Sequence, residues 1–384
     1  MSHITLFMGT RPEAIKLAPV IRALDATDGV TLRVVSTGQH REMLDQVVRI
    51  FGLRIDAELS VMRDGQTLAG LTARVVEAVD AELAAHRTDA VIVQGDTTTA
   101  FTAGLAAFYR RTPIAHVEAG LRTGRMDAPF PEEANRVLLS RLARWHFAPT
   151  EQSAQNLRGE GVDPAAVHVT GNTVIDALLI EAARQADDAD PAMEEAHAAL
   201  APELGEGWRD RRLVLVTGHR RENIGGGFEA ICRALRRLAD THPDHRFVYP
   251  VHLNPKVKGP VTELLGGVDN IDLIAPQSYR PFVALMRHAT LILTDSGGVQ
   301  EEAPSLGVPV LVMRETTERP EGVDGGTVRL VGTDEALIVR EAARLLDDPA
   351  AHAGMSEAQN PYGDGAAAER IAATLAAEAR PGGR

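Results

Sequence analysis

Acidic side chains recur where short apolar runs end. Ala90 to Val93 runs into Gln94-Gly95-Asp96-Thr97-Thr98-Thr99, a second run leads into His116-Val117-Glu118-Ala119-Gly120, and Pro131-Glu132-Glu133-Ala134-Asn135-Arg136 heads a helix. Carboxylates gathered at strand ends are placed for proton transfer, which makes Asp96, Glu118 and Glu132 candidate acid/base groups. The plainer reading makes Asp96 a helix cap, and Glu132 and Glu133 first-turn acids favoured by the helix dipole. A second set of residues suits an anion. In Gly9-Thr10-Arg11-Pro12-Glu13 a strand gives way to a helix, so backbone donors, the helix dipole and a guanidinium converge, with Lys16 about one turn later. Thr217-Gly218-His219-Arg220-Arg221-Glu222-Asn223 offers an imidazole and two guanidinium groups, a combination suited to a pyrophosphate. Asp295-Ser296-Gly297-Gly298-Val299-Gln300-Glu301-Glu302 opens a helix with two glycines that let amides approach phosphate, and an acid a turn later can reach sugar hydroxyls. The plainer readings are solvated helix residues for Arg11 and Lys16 and a tight turn for the glycines. Glu13 is read as the capping partner of Thr10.

The elements that must hold these groups alternate between short apolar runs and longer stretches at helical spacing, the pattern of a parallel sheet with crossover helices. Strands are expected at Ile4 to Met8, Leu32 to Ser36, Ala90 to Gln94, Pro113 to Val117 and Trp145 to Ala148. A second series is expected at Leu213 to Thr217, Arg246 to Val251, Ile271 to Ile274, Leu291 to Thr294 and Val308 to Val312. Leu17, Ile21 and Leu24 give the first helix its buried face. The fold class is therefore α/β, with two Rossmann-like doubly wound domains facing across a cleft: residues 1–170, and residues 171–364 with a hinge near Gly171. The last helix, from about 365 into 384, is expected to cross back onto the first domain. The Ala- and acid-rich stretch from about Ala182 to Gly207 reads as an exposed helix and loop outside the core.

At 384 residues the chain exceeds what one core usually organises, and its 44% hydrophobic and 24% charged content is that of a globular protein. Its net charge of -13 argues against a nucleic-acid surface, so any anionic ligand must be met locally. Cys232 is the single cysteine, which excludes an intramolecular disulfide and suits a reducing compartment. Neither an export signal nor a membrane span is expected. There is no GxxxxGK[ST], and Gly225-Gly226-Gly227 lacks the spacing of a dinucleotide fingerprint, which disfavours a P-loop kinase or a dehydrogenase. His252 and Asn254 have no partners at metal-ligand spacing and read as polar contacts, so no metal is expected.

The segments GTRPEAIKLAPV, QGDTTTA, HVEAGLRTG, PFPEEANR, GNTVIDAL, TGHRREN, DSGGVQEEAPSLGVPVLVMRETTERPEGV and GTVRLVG follow one another along nearly the whole chain. In them the sequence resembles the non-hydrolysing UDP-N-acetylglucosamine 2-epimerases. The resemblance implies a GT-B-like arrangement with UDP held mainly by the second domain. It places pyrophosphate contacts at Arg11, His219, Ser296, Gly297 and Gly298, a ribose carboxylate at Glu302, a uracil pocket at Gln277 and Phe282, and a further substrate contact at Arg319. The family's acid/base and sugar-contacting carboxylates fall on Asp96, Glu118 and Glu132, with Lys16 nearby and His219 serving the leaving group. It further implies an isomerase without cofactor, a homodimer, a cytoplasmic location and a part in cell-surface polysaccharide biosynthesis. Some bacterial relatives bind a second substrate molecule as activator. Here Gln39 and His40 are kept, while Glu42 and Gly65 stand where that contact set has an amide and a cation, which argues against such activation.

The implied chemistry has a physical rationale. The C2 hydrogen of this sugar has no adjacent carbonyl to acidify it, so the anomeric C–O bond must first weaken, with UDP leaving and positive charge growing at C1. Arg11, His219 and the amides after Asp295 then neutralise charge on the pyrophosphate, and a carboxylate takes the proton. Elimination gives 2-acetamidoglucal and UDP, and protonation on the opposite face with UDP re-addition gives the manno epimer. Which carboxylate serves which face stays open. Rival readings are a hydrolysing relative releasing UDP and N-acetylmannosamine, a retaining GT-B glycosyltransferase, and a non-catalytic nucleotide-sugar sensor.

Overall fold

The computed structural model describes residues 1–38, 41–63, 65–220, 223 and 225–379, with the backbone alone at 41–43. Gln39, His40, Arg221, Glu222 and the side chain of Glu42 lie outside the described residues. The chain separates into two compact units, residues 1–177 with 362–384, and residues 178–361.

In the first unit, apolar runs bounded by Gly and small polar residues form β1 (Ser2–Met8), β2 (Val30–Ser36), β3 (Ala57–Glu58), β4 (Ala90–Gln94), β5 (Ile114–Val117), β6 (Trp145–Ala148) and β7 (Val167–Val169). They pair in parallel in the order β3-β2-β1-β4-β5-β6-β7. Every residue of β4 is buried, as a strand covered by helices on both faces requires. The order reverses between β1 and β4, the position where doubly wound sheets open for ligands at their carboxyl ends. The helix Arg11–Asp25 buries Leu17, Ile21 and Leu24, and Thr10 and Glu13 close a capping box at its start. The helix Ala367–Glu378 packs on it. Trp145 Nε1 donates to Glu378 at 2.7 Å, and Asp176 accepts from the Ala368 amide at 2.7 Å.

The second unit repeats the winding with β8 (Arg212–Thr217), β9 (His245–Pro250), β10 (Ile271–Ile274), β11 (Ala289–Thr294), β12 (Val310–Val312) and β13 (Val328–Leu330), ordered β10-β9-β8-β11-β12-β13. Its core gathers Phe228, Phe247, Tyr249, Leu291, Leu293 and Leu311. Two parallel sheets interleaved with helices are the α/β doubly wound architecture that the alternating pattern predicts. Among the described residues no helix is long and apolar enough to cross a membrane.

The stretch Ala182 to Gly207 corrects its expectation. The helix Ala192–Leu204 buries Ala192, Ala196, Leu200 and Leu204 along one stripe against the helix Tyr279–His288, and Trp208 just beyond it is fully buried. Three strands also escape the sequence reading, namely β3, β7 and β13, and each lies at a sheet edge.

Gly104 sets how closely two helices of the first unit approach. It lies inside Thr98–Tyr109, where an added Cβ would come within 2.5 Å of Leu139 Cδ1 on the helix Glu132–Leu142. Gly104→Ala should therefore lower stability by about 1–2 kcal/mol in urea unfolding, the cost of overpacking exceeding the roughly 1 kcal/mol that Ala gains over Gly in a helix. An equal or higher urea midpoint would show that Leu139 moves aside freely.

Candidate functional site

In the first unit, the sheet delivers its polar residues from the ends of β1, β4 and β5. Glu13 is buried, and its Oε2 accepts from the Gly9 and Thr10 amides at 3.0 and 2.7 Å while Oε1 accepts from Thr97 Oγ1 at 2.6 Å. Burial raises its pKa despite those bonds. Glu13 thus ties the turn after β1 to the turn after β4, which is more than capping alone. Arg11 is half-buried and makes no ion pair among the described residues.

Thr97, not Asp96, caps the helix Thr98–Tyr109, its hydroxyl accepting from the Ala100 amide at 3.0 Å. This removes the cap reading of Asp96. Its carboxylate instead meets Arg136 Nη2 at 3.1 Å, and Asn135 Nδ2 donates to its backbone carbonyl at 2.9 Å. Burial raises the Asp96 pKa, Arg136 and Lys16 oppose that, and the negative charges of Glu118 and Glu132 reinforce it. Asp96, Glu118, Glu132, Lys16 and Arg136 therefore lie within electrostatic reach of one another.

Glu118 holds a left-handed backbone at φ 60°, a conformation that costs a side-chain-bearing residue about 1–3 kcal/mol. Its partners show what stabilises it. Lys16 Nζ reaches both carboxylate oxygens at 2.6 Å, Asn172 Nδ2 donates at 3.3 Å, and Gln94 Nε2 donates to Oε2. Glu132 is half-buried at the head of its helix. Glu133, one residue on, is buried and accepts from the Thr123 and Gly124 amides at 3.0 Å each, so it fixes a loop.

In the second unit the loop after β8 folds over Asp295, which follows β11 and is fully buried. Asp295 accepts from the His219 amide at 2.9 Å, the Arg220 amide at 2.8 Å and Asn223 Nδ2 at 3.3 Å, and lies 3.3 Å from His219 Nδ1. Burial works to raise its pKa, but these donors together prevail and hold it below the usual value. The His219 ring stacks on His252 with centroids 5.7 Å apart, and half its side chain faces solvent. Gly218 allows the crowding beneath, because a Cβ there would come within 2.8 Å of the Tyr249 hydroxyl.

Ser296 caps the short helix Gly297–Glu302 without a side-chain bond. A Cβ at Gly297 would lie 2.9 Å from the Arg319 guanidinium, so that glycine makes room for Arg319. Arg319 is itself paired with Glu301 at 2.7 Å and Glu318 at 3.1 Å. Gln277 is likewise engaged, donating to Glu203 at 3.1 Å and the Ala275 carbonyl at 2.8 Å. Phe282 is half-buried on the helix Tyr279–His288, and Glu302 lies 3.8 Å from a Cβ built at Gly298.

The sequence reading passed over Gln94, Asn135, Arg136 and Asn172, which hold the two carboxylates of the first unit, and gave Asn223 no role. One signal was there to use: Asn135 and Arg136 fall three and four places after Glu132 on a helix, hence on the same face.

Two doubly wound parallel sheets, each with its polar cluster at the strand ends beside the order reversal, define a GT-B-like α/β protein. Sequence comparison narrows the class. A family profile described as UDP-N-acetylglucosamine 2-epimerase matches residues 22–376. Proteins of that name from Yersinia pestis and Escherichia coli K12 are each 55% identical over 375 residues, covering 98% of both chains. The crystal structure of UDP-GlcNAc 2-epimerase from Neisseria meningitidis bound to UDP-GlcNAc superposes with a TM-score of 0.86 at 46% identity, covering 98% of this chain and 99% of that one. The chain belongs to the UDP-N-acetylglucosamine 2-epimerase family.

Asp295→Asn should lower stability by about 1–3 kcal/mol at neutral pH, because one of the two accepting oxygens becomes an NH2 that faces other donors and the charge that they share is lost. A lowered pKa contributes stability that is fully present above the ordinary value of 3.8 and fades as pH falls through the folded-state value. The gap in urea midpoint between wild type and variant should therefore narrow below about pH 4, and a constant gap would exclude the carboxylate charge as its source.

Proposed function

We propose that this chain interconverts UDP-N-acetylglucosamine and UDP-N-acetylmannosamine by reversible, non-hydrolysing epimerisation at C2. A carboxylate of the first unit removes the C2 proton, the C–H electron pair forms the C1=C2 bond of 2-acetamidoglucal, and the C1–O pair departs with UDP. Protonation of the opposite C2 face and return of the UDP oxygen to C1 complete the change, with no net consumption of water. The observation that carries this reading is the grouping of Asp96, Glu118 and Glu132 at neighbouring strand ends and a helix start, each in a different setting. Asp96 has a raised pKa, while Glu118 is clasped by Lys16. Carboxyl groups that differ in this way can divide acid and base duties.

In the same reading Arg11, His219, Ser296, Gly297 and Gly298 bind the pyrophosphate and stabilise it as a leaving group. Glu302 takes the ribose hydroxyls, Gln277 and Phe282 the uracil, and Arg319 and Lys16 further parts of the substrate. The engaged states of Gln277 and Arg319 mean that each exchanges a protein partner for the ligand on binding. A homodimer in the cytoplasm, working without cofactor in cell-surface polysaccharide synthesis, completes the proposal.

The decisive measurement is NMR of UDP-N-acetylglucosamine incubated with the protein in deuterium oxide. Deuterium at C2 together with UDP-N-acetylmannosamine is expected, and free N-acetylmannosamine with UDP would instead establish the hydrolysing ending. Asp96→Asn and Glu118→Gln should each reduce kcat by about 10²–10⁴-fold, the range for loss of a general acid or base, with UDP affinity little changed. Unaltered turnover would remove them from that role. Glu302→Ala should weaken UDP binding about tenfold or more, the worth of a hydrogen bond to a charged group, and an unchanged Kd would reject the ribose assignment. A raised pKa in Asp96 means that its stability contribution is present below 3.8 and lost as pH rises through the folded-state value. Asp96→Asn should therefore resist urea better than wild type at pH 8, with the advantage vanishing toward pH 4.

A further inference from the structure

His116 lies two residues before Glu118 on β5, with no side-chain surface exposed to solvent. Its Nε2 is 2.7 Å from the Gly95 carbonyl oxygen, so the imidazole carries its proton on Nε2 and donates it. Nδ1 is buried without a partner. Burial, followed by the nearby charges of His146, Arg122 and Arg136, pushes the ring down to about 3, which keeps it neutral. A buried ring with one unsatisfied nitrogen is a net cost to folding, and an apolar side chain would fill the space without it. Packing therefore does not account for an imidazole here, but its single hydrogen bond does.

That bond falls on the peptide that introduces Asp96. The ladder between β4 and β5 ends where the Gly95 amide donates to the Val117 carbonyl at 2.9 Å, and Gly95 then turns at φ 69°. We propose that His116 is a positioning residue for Asp96: by holding the Gly95 carbonyl it fixes the plane of the Gly95–Asp96 peptide, and so the direction in which the Asp96 carboxylate is presented. Asn135 on the Asp96 carbonyl and Arg136 on its carboxylate complete the set of restraints. This rests on the reading of Asp96 as an acid/base group.

His146 supplies an internal control. It is the cross-strand partner of His116 on β6 and is also buried with Nδ1 unpartnered, but among the described residues it shows no hydrogen bond to the Gly95–Asp96 peptide. With full-length protein and UDP-N-acetylglucosamine, His116→Asn, whose amide is too short to reach Gly95, should lose about 10–100-fold in kcat, as misplacement near 1 Å does. KM and UDP affinity should hold within about threefold, since neither draws on the direction of Asp96. His116→Gln places an amide nitrogen about as far from Cα as Nε2 and should recover most of the rate, and His146→Gln should match wild type.

Equal rates for His116→Asn and His116→Gln, or a kcat loss matched by loss of UDP affinity, would overturn the proposal. Should the His116 variants not fold, ¹⁵N NMR of the wild-type imidazole decides, with an Nε2–H tautomer from pH 5 to 9 expected and an Nδ1–H tautomer refuting it. If Asp96→Asn alone retains turnover, it is the role of Asp96 that fails, and the tautomer measurement still tests the hydrogen bond.

Discussion

Each unit is pinned at its order reversal by one carboxylate buried among backbone amides. In the first, Glu13 joins Gly9 and Thr10 after β1 to Thr97 after β4. In the second, Asp295 after β11 gathers His219, Arg220 and Asn223 from the loop after β8. Parallel strands end there with amides that have no ladder partner, and a buried amide without an acceptor is expensive. The carboxylate satisfies several at once and thereby fixes the loops that carry Arg11, Asp96 and His219. The two solutions differ in electrostatics: desolvation prevails at Glu13 and the donors prevail at Asp295.

The remaining polar architecture of the first unit serves to hold acidic groups in settings they would not otherwise choose. Glu118 occupies a left-handed backbone conformation with Lys16, Gln94 and Asn172 around its carboxylate, and Asp96 is desolvated beside Arg136. Such arrangements are unfavourable locally and persist because the surrounding helices and strands over-determine them. Close approach of the helix bearing Glu132, Asn135 and Arg136, made possible by the missing side chain of Gly104, is part of that constraint.

The winding of both sheets was legible because central parallel strands are covered on both faces and so read as largely apolar runs: Ala90–Gln94 and Trp145–Ala148 were delimited as the structure has them, and so was the four-residue edge strand Ile271–Ile274. Edge strands need only one neighbour and few residues, which is why β3, β7 and β13, two or three residues each, left no such run. Half of the buried stripe of Ala192–Leu204 is alanine, and alanines on its exposed face as well blur the contrast between inside and outside. Around the site, the acids were legible from their positions at strand ends. Their amide and guanidinium partners were not, since Gln94, Asn172 and Arg136 look like ordinary surface residues until the fold brings them to a carboxylate. No sequence feature marks the positive φ of Glu118, where glycine would be the usual choice.

The first unit is discontinuous along the chain, completed by the helix Ala367–Glu378, which packs on Arg11–Asp25, bonds Trp145 through Glu378 and is capped by Asp176. Residues 178–361 form the second unit without interruption. During translation the second unit is thus complete in sequence before the first one is. The ribosome must release the entire later-encoded unit before the earlier one receives its final helix, so the nascent amino-terminal half waits with an apolar face uncovered while its successor folds.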